Sequence, residues 1–179
     1  MNKILPNLVF FLYAHAAFAA DTATLSVSDK GLGGITRATR FHQTEIQKAL
    51  RGYHIKPEKR STEGEPYPVF LVMDQKALLA TINPTEDHKK IFSIRITSNK
   101  ISNTHGPAIG TKYSAIYGGN VSKECAGGAE EMSGAVICPA PKSRNVGYVF
   151  RGKSNGPDGV VPRIAVLKDF AVSEIVWRP

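Results

Sequence analysis

The first twenty residues constrain this chain more than any other stretch. Lys3 supplies a positive charge, and an apolar run from Ile4 to Phe18 follows, carrying Leu5, Leu8, Val9, Phe10, Phe11 and Leu12. The run ends in Ala17-Phe18-Ala19, with small residues at the two positions a signal peptidase accepts. Charge, apolar core and A-x-A site in this order predict an export signal over residues 1–19, cut between Ala19 and Ala20. The alternative is a retained anchor. A helix crossing the hydrocarbon core takes roughly 20 apolar residues, whereas this run is shorter and is interrupted by Pro6, Asn7 and His15. No cysteine stands near the cleavage site to accept a lipid. The expectation is a periplasmic chain without a lipid anchor, residues 20–179, of a length that suits one domain. No second long apolar run occurs, so no transmembrane segment is expected in the mature chain.

Export then bears on the cysteines. Cys125 and Cys138 are the two cysteines of the sequence, and in an oxidising compartment the default for such a pair is a disulfide. It would close the Gly-rich segment Ala126–Ile137, flanked by strands expected at Gly119–Lys123 and Ala135–Cys138. The chain-entropy model gives such a loop about 3 kcal/mol. A metal or redox pair is the alternative reading. Those sites favour C-x-x-C or nearby histidines, and neither occurs here.

The formal charge is +8, or +7 without Lys3. A basic balance opens the way to nucleic acid, anionic lipid or an acidic glycan. The positives are scattered, however, as Arg37 and Arg40, Lys56 with Lys59 and Arg60, Lys89 and Lys90, Lys142 and Arg144. Aromatics are not interleaved with them as a stacking platform needs. Weak binding to an anionic surface is compatible with this distribution; nucleic acid is disfavoured by it and by export.

Hydrophobic periodicity predicts an α+β fold: antiparallel sheet with two short helices. Thr24–Ser28 reads as an opening strand, broken by Gly31-Leu32-Gly33-Gly34. A helix is expected over Phe41–Arg51, with Thr39 as N-cap, Ile46, Ala49 and Leu50 on one face, and Gly52 closing it. Tyr53–Ile55 begins a strand that Pro57 should cut short, and Glu63–Pro68 reads as loop or edge. Val69–Met73, Ala77–Ile82 and Ile91–Thr97 form an expected meander, the last with Phe92, Ile94 and Ile96 on one face and Ser93, Arg95 and Thr97 on the other. A second helix is expected after Thr111, carrying Tyr113, Ile116 and Tyr117 and stopped by Gly118-Gly119. Asn145–Phe150 and Val172–Trp177 read as strands, with a helical turn near Ala165–Phe170. The order leaves room for two similar helix-plus-meander halves, although they share no obvious sequence.

Three stretches carry a family resemblance: Gly31-Leu32-Gly33-Gly34-Ile35-Thr36; Ile109-Gly110-Thr111 through Ile116-Tyr117; and Phe150-Arg151-Gly152, Gly156-Pro157-Asp158-Gly159 and Val172 to Arg178 at the end. Together they resemble the RpoE-regulated lipoprotein family, a gammaproteobacterial domain of unknown function, and the paired cysteines also match its pattern. The resemblance spans nearly the whole mature chain. It implies an α+β envelope protein made under the sigma-E stress response. It brings no catalytic residues to carry over, and the lipid-accepting cysteine of the family is missing here.

Motifs with chemistry are sparse. Gly31-x-Gly33-Gly34 lacks the last glycine of a dinucleotide fingerprint. His42, His54, His88 and His105 never fall at helical ligand spacing, so no metal or cofactor is expected. There is no G-x-S-x-G elbow, and Glu130-Glu131 reads as solvated charge. No catalytic residue is assigned. Tyr113, the Gly156-Pro157-Asp158 turn and Trp177 stand as partner-contact candidates, beside bland readings as helix stripe, turn and core. The function expected is a non-catalytic binding or envelope-maintenance module with an envelope protein as partner. The alternatives are an enzyme on an envelope polymer, needing paired carboxylates in a cleft, and a polyanion or anionic-lipid binder, needing salt-sensitive binding.

Overall fold

Alternating apolar residues draw most of the chain into antiparallel strands, and the result is an α+β fold. The computed structural model describes residues 24–179; the expected export signal, with Ala19 and Ala20, lies outside them. β1 (Ser26–Ser28) turns back onto β2 (Gly31–Leu32), and β2 onto β3 (Ile35–Thr36). The Gly-rich stretch expected to break the first strand thus folds it into a small meander. α1 (Gln43–Ala49) buries Ile46, and Leu50 is buried just past it. The helix is shorter than expected and its N-cap is His42. Thr39 serves a turn instead, its hydroxyl accepting the Thr36 N–H at 3.0 Å.

β4 (His54–Thr62) runs straight through Pro57. It is an outer strand of its sheet, where a missing N–H need break no ladder. β5 (Glu65–Asp74) pairs with it along its whole length, down to Thr62 opposite Glu65. The expected loop at 63–68 therefore shrinks to Glu63-Gly64, whose φ angles of 52° and 84° suit a two-residue hairpin turn. β6 (Ala77–Pro84) meets β5 only from Phe70 onward, so the β4–β5 hairpin projects as a two-stranded arm. β7 (Ile91–Ile96) completes the first meander.

β8 (Ser102–Asn103) lies parallel to β1. α2 (Tyr113–Tyr117) follows, with Lys112 as N-cap; the Thr111 hydroxyl accepts the Ala108 N–H at 3.1 Å and does not cap the helix. Gly119–Lys123 is not a strand. On its outer side β10 (Ala135–Pro139) pairs with β9 (Ala126–Gly127), inside the cysteine loop, with a 3₁₀ turn at Glu130–Met132 between them. β11 (Val146–Arg151), a third short helix α3 (Ile164–Leu167) and β12 (Ala171–Trp177) end the fold.

The strands form a four-stranded sheet ordered β3-β2-β1-β8 and an eight-stranded sheet ordered β4-β5-β6-β7-β12-β11-β10-β9. Each half of the chain supplies a helix followed by four strands in antiparallel sequence, and the two meanders meet where β12 pairs with β7. One face of the large sheet carries Val72, Ile82, Ile94, Phe150 and Trp177. These pack with Val27 and Leu32 of the small sheet, Ile46 of α1, Tyr113 of α2 and Leu167 of α3 in one core cluster. The opposite face carries Arg95, Val149, Glu174 and Val176, and the candidate site lies there.

Candidate functional site

Cys125 and Cys138 are joined by a disulfide. It sits beside the Ala126–Ile137 pair of β9 and β10, so it fixes the start of the loop that returns over the open face of the large sheet. Gly127 lets that loop pass close to a second one: a Cβ there would lie 2.4 Å from the Gly159 backbone. From Glu130 to Ser133 the loop spans the face. The Thr62 hydroxyl, at the tip of the arm, donates to Glu131 at 3.1 Å, and Arg151 donates to the Ser133 carbonyl at 3.0 Å. Met132 Sδ lies 3.4 Å from the Arg95 guanidinium. Arm and loop thus meet across the sheet.

Beneath them is a cleft of about 540 Å³, within the range of small-molecule sites. Its apolar lining comes from both meanders: Pro84 and Phe92 from the first, Ile137, Val149 and Val176 from the second, with Met132 above. Phe92 reaches it through a bulge. Asn83 pairs with Ser93 but Pro84 pairs with Ile91, which leaves Phe92 unmatched. Ile94 and Ile96 are in the core as expected, whereas Phe92 is 51% exposed, not on their buried face. Arg178 stands over its ring, 5.4 Å from the centroid.

The polar part of the lining is basic. Arg95 donates twice to Glu174, at 2.6 and 2.7 Å. This fork-to-fork bond and the glutamate charge hold the guanidinium all the more firmly protonated. Arg144 and Arg178 lie where β11 begins and β12 ends; Arg178 N–H donates to the Asn145 carbonyl at 2.8 Å, and Asn145 Nδ2 donates back to the Arg178 carbonyl at 2.6 Å. Glu124 is the carboxylate of the lining. Glu174 is bonded to Arg95 and is not part of the lining, so the described residues place no free pair of carboxylates in the cleft.

A Ser-Asp-His cluster lies elsewhere. The Ser143 hydroxyl donates to Asp29, which Asn145 N–H also approaches at 3.3 Å, and His105 Nε2 is 3.6 Å from the same carboxylate. The Ser143 bond foremost, then the Asn145 N–H and His105, hold the Asp29 carboxyl below the usual range against its desolvation. The carboxylate stands between serine and histidine, and Ser143 Oγ also accepts Val146 N–H at 2.8 Å. That order ties segments together; it does not activate a hydroxyl. Among the described residues no three His, Cys, Asp or Glu side chains gather to hold a metal.

The partner-contact candidates do not converge. Tyr113 is fully buried, stacked on Tyr117 at 4.8 Å with Phe150 edge-on at 5.2 Å, and its hydroxyl accepts Ser122 N–H and donates to the Asn120 carbonyl. Burial pushes the neighbouring Tyr117 phenol far up. Trp177 is buried too, its indole N–H donating to the Asp29 carbonyl at 3.1 Å. Gly156, Pro157 and Asp158 are exposed and line a second, smaller cavity of about 210 Å³ against Gly128 and Gly134. Sequence periodicity places Arg95 on the wet face. It does not signal that Phe92 joins it, since a bulge has no periodic mark, nor that Arg144 and Arg178 become neighbours.

Comparison with known proteins agrees with this architecture. Among the described residues no helix is long and apolar enough to cross a membrane. An uncharacterized protein of Escherichia coli (strain K12), YfeY, is 32% identical over 160 residues, covering 87% of this chain and 81% of that one. The crystal structure of the uncharacterized protein yfeY from Escherichia coli is 28% identical and superposes with a TM-score of 0.70, over 88% of this chain and 100% of that chain. A family model described as a protein of unknown function, DUF1131, matches residues 13–179. On both the sequence match and the shared fold, the chain belongs to the DUF1131 family.

Proposed function

We propose that the chain is an exported periplasmic protein, with residues 1–19 removed and residues 20–179 forming a single domain. In this reading it is a non-catalytic envelope-maintenance module made under envelope stress, and it works by holding a small ligand in the open-face cleft. The charged, apolar and A-x-A order of the first residues supports export, as does the Cys125–Cys138 disulfide. The resemblance to the RpoE-regulated lipoproteins supports the link to stress. The observation that carries the binding role is the cleft itself. A large sheet with one face in the core leaves the other to water, yet here two chain segments reach across and border a half-open cleft of about 540 Å³ with a mainly apolar lining. The exposed Gly156-Pro157-Asp158 turn is the proposed contact for an envelope protein partner.

Site-specific photo-crosslinking in living cells tests this. Probes go to Phe92 in the cleft and to Asp158 in the turn, because Tyr113 and Trp177 are buried. Capture of a small molecule at Phe92 is expected. Absence of any small-molecule adduct there, with protein captured only at Asp158, would move the function from the cleft to the turn.

A further inference from the structure

The charges of the cleft are unevenly placed. Arg95 is neutralised by Glu174, whereas Arg144 and Arg178 form no ion pair among the described residues and are both exposed. They are brought to one end of the cleft by the paired bonds between Asn145 and Arg178. Two guanidiniums present planar forks that match a carboxylate or phosphate. From that end the lining continues as Phe92, Val176 and Val149, and the remaining polar groups of the lining are Tyr67, Asn83, Ser93, Glu124, Asn145 and the Arg95 already bonded to Glu174. A free anion would use the two arginines and leave the apolar stretch empty. A plain hydrocarbon would leave the arginines unused.

We infer that the cleft takes a single-chain anionic amphiphile, its anionic head between Arg144 and Arg178 and its tail along Phe92, Val176 and Val149. This rests on the reading of the cleft as a binding site and names the class of its ligand. Charge complementarity selects the head, and apolar area selects the tail.

The test uses the mature chain and four probes below their micellar concentrations: dodecanoate, dodecyl phosphate, dodecanol and inorganic phosphate. Affinities are measured by titration calorimetry, with amide chemical shifts to locate each probe. Both anionic probes are expected to bind in the cleft at least ~10-fold more tightly than dodecanol, since charge-assisted forks carry the head. The double variant Arg144→Gln, Arg178→Gln should remove that ~10-fold advantage and leave dodecanol within about 2-fold of its original affinity. Both positions are exposed, and an unchanged thermal transition confirms that the fold is intact. Equal binding of dodecanol and the anions, untouched by the double variant, would keep the cleft as a site and overturn the anionic class. Inorganic phosphate binding as tightly as dodecyl phosphate would overturn the tail. No binding by any probe, in a chain that carries a small-molecule adduct at Phe92 in cells, would overturn the amphiphile while leaving the cleft reading; without that adduct both fall.

Discussion

Asp29 joins segments far apart in the chain. Its carboxylate holds Ser143 and Asn145 of the β10–β11 turn, His105 faces it, and its carbonyl takes the Trp177 indole N–H. Its folded pKa is depressed below the ordinary 3.8, so its contribution is present above that value and is lost as pH falls through the lower, folded one. Asp29→Asn should therefore lower stability at neutral pH and flatten the acid limb of a stability-against-pH curve; an unchanged acid limb would contradict the assignment. Arg95 and Glu174 give a second prediction at this scale. Glu174 is 12% exposed in its side chain, so Arg95→Leu alone strands a mostly buried carboxylate and should cost about 1–3 kcal/mol in urea unfolding. Adding Glu174→Leu should recover most of that loss. None of this network is legible in the sequence, because its partners lie far apart in the chain, Arg95 and Glu174 by 79 residues and Asp29 and Ser143 by 114, and share no spacing rule.

The arm and the cysteine loop are the elements that make the cleft. The arm turns on Glu63-Gly64, both at positive φ. Gly64→Ala should cost about 1 kcal/mol by strain alone, with nothing within 4 Å to clash, and Glu63→Asn should stabilise slightly. Pro66 and Pro68 occupy alternate positions of β5 where β6 no longer reaches. Alternate residues direct their N–H groups to the same side, so two prolines silence one edge of the projecting arm. In the sequence these prolines look like strand breakers, and that is why the arm reads as a loop. The cysteine loop is legible at the level of its staple and not of its path. Replacing both cysteines by serine should cost about 2–4 kcal/mol and free the loop from the cleft wall, measured by denaturant unfolding and by amide exchange over residues 126–134.

At the scale of the whole molecule, two four-strand meanders share one sheet through the β7–β12 pair. The alternation of Ile94 with Ile96, and of Val146, Tyr148 and Phe150, marks strands and their buried face directly. What local pattern cannot give is which strand pairs with which: the last strand of the chain enters the middle of the sheet. The cleft belongs to the same level, since its walls come from residues 67 to 178 and exist only once the meanders are joined. Its central role is tested most directly by backbone amide spectra of the chain isolated from the cell envelope without denaturation. These are compared with spectra of the same sample after unfolding, removal of bound molecules and refolding with the disulfide intact. The ligand-holding account predicts differences concentrated at Ser93, Arg95, Gly147, Val149 and Val176, reversed when the released material is added back. Identical spectra, or differences confined to Gly156–Gly159, would contradict it.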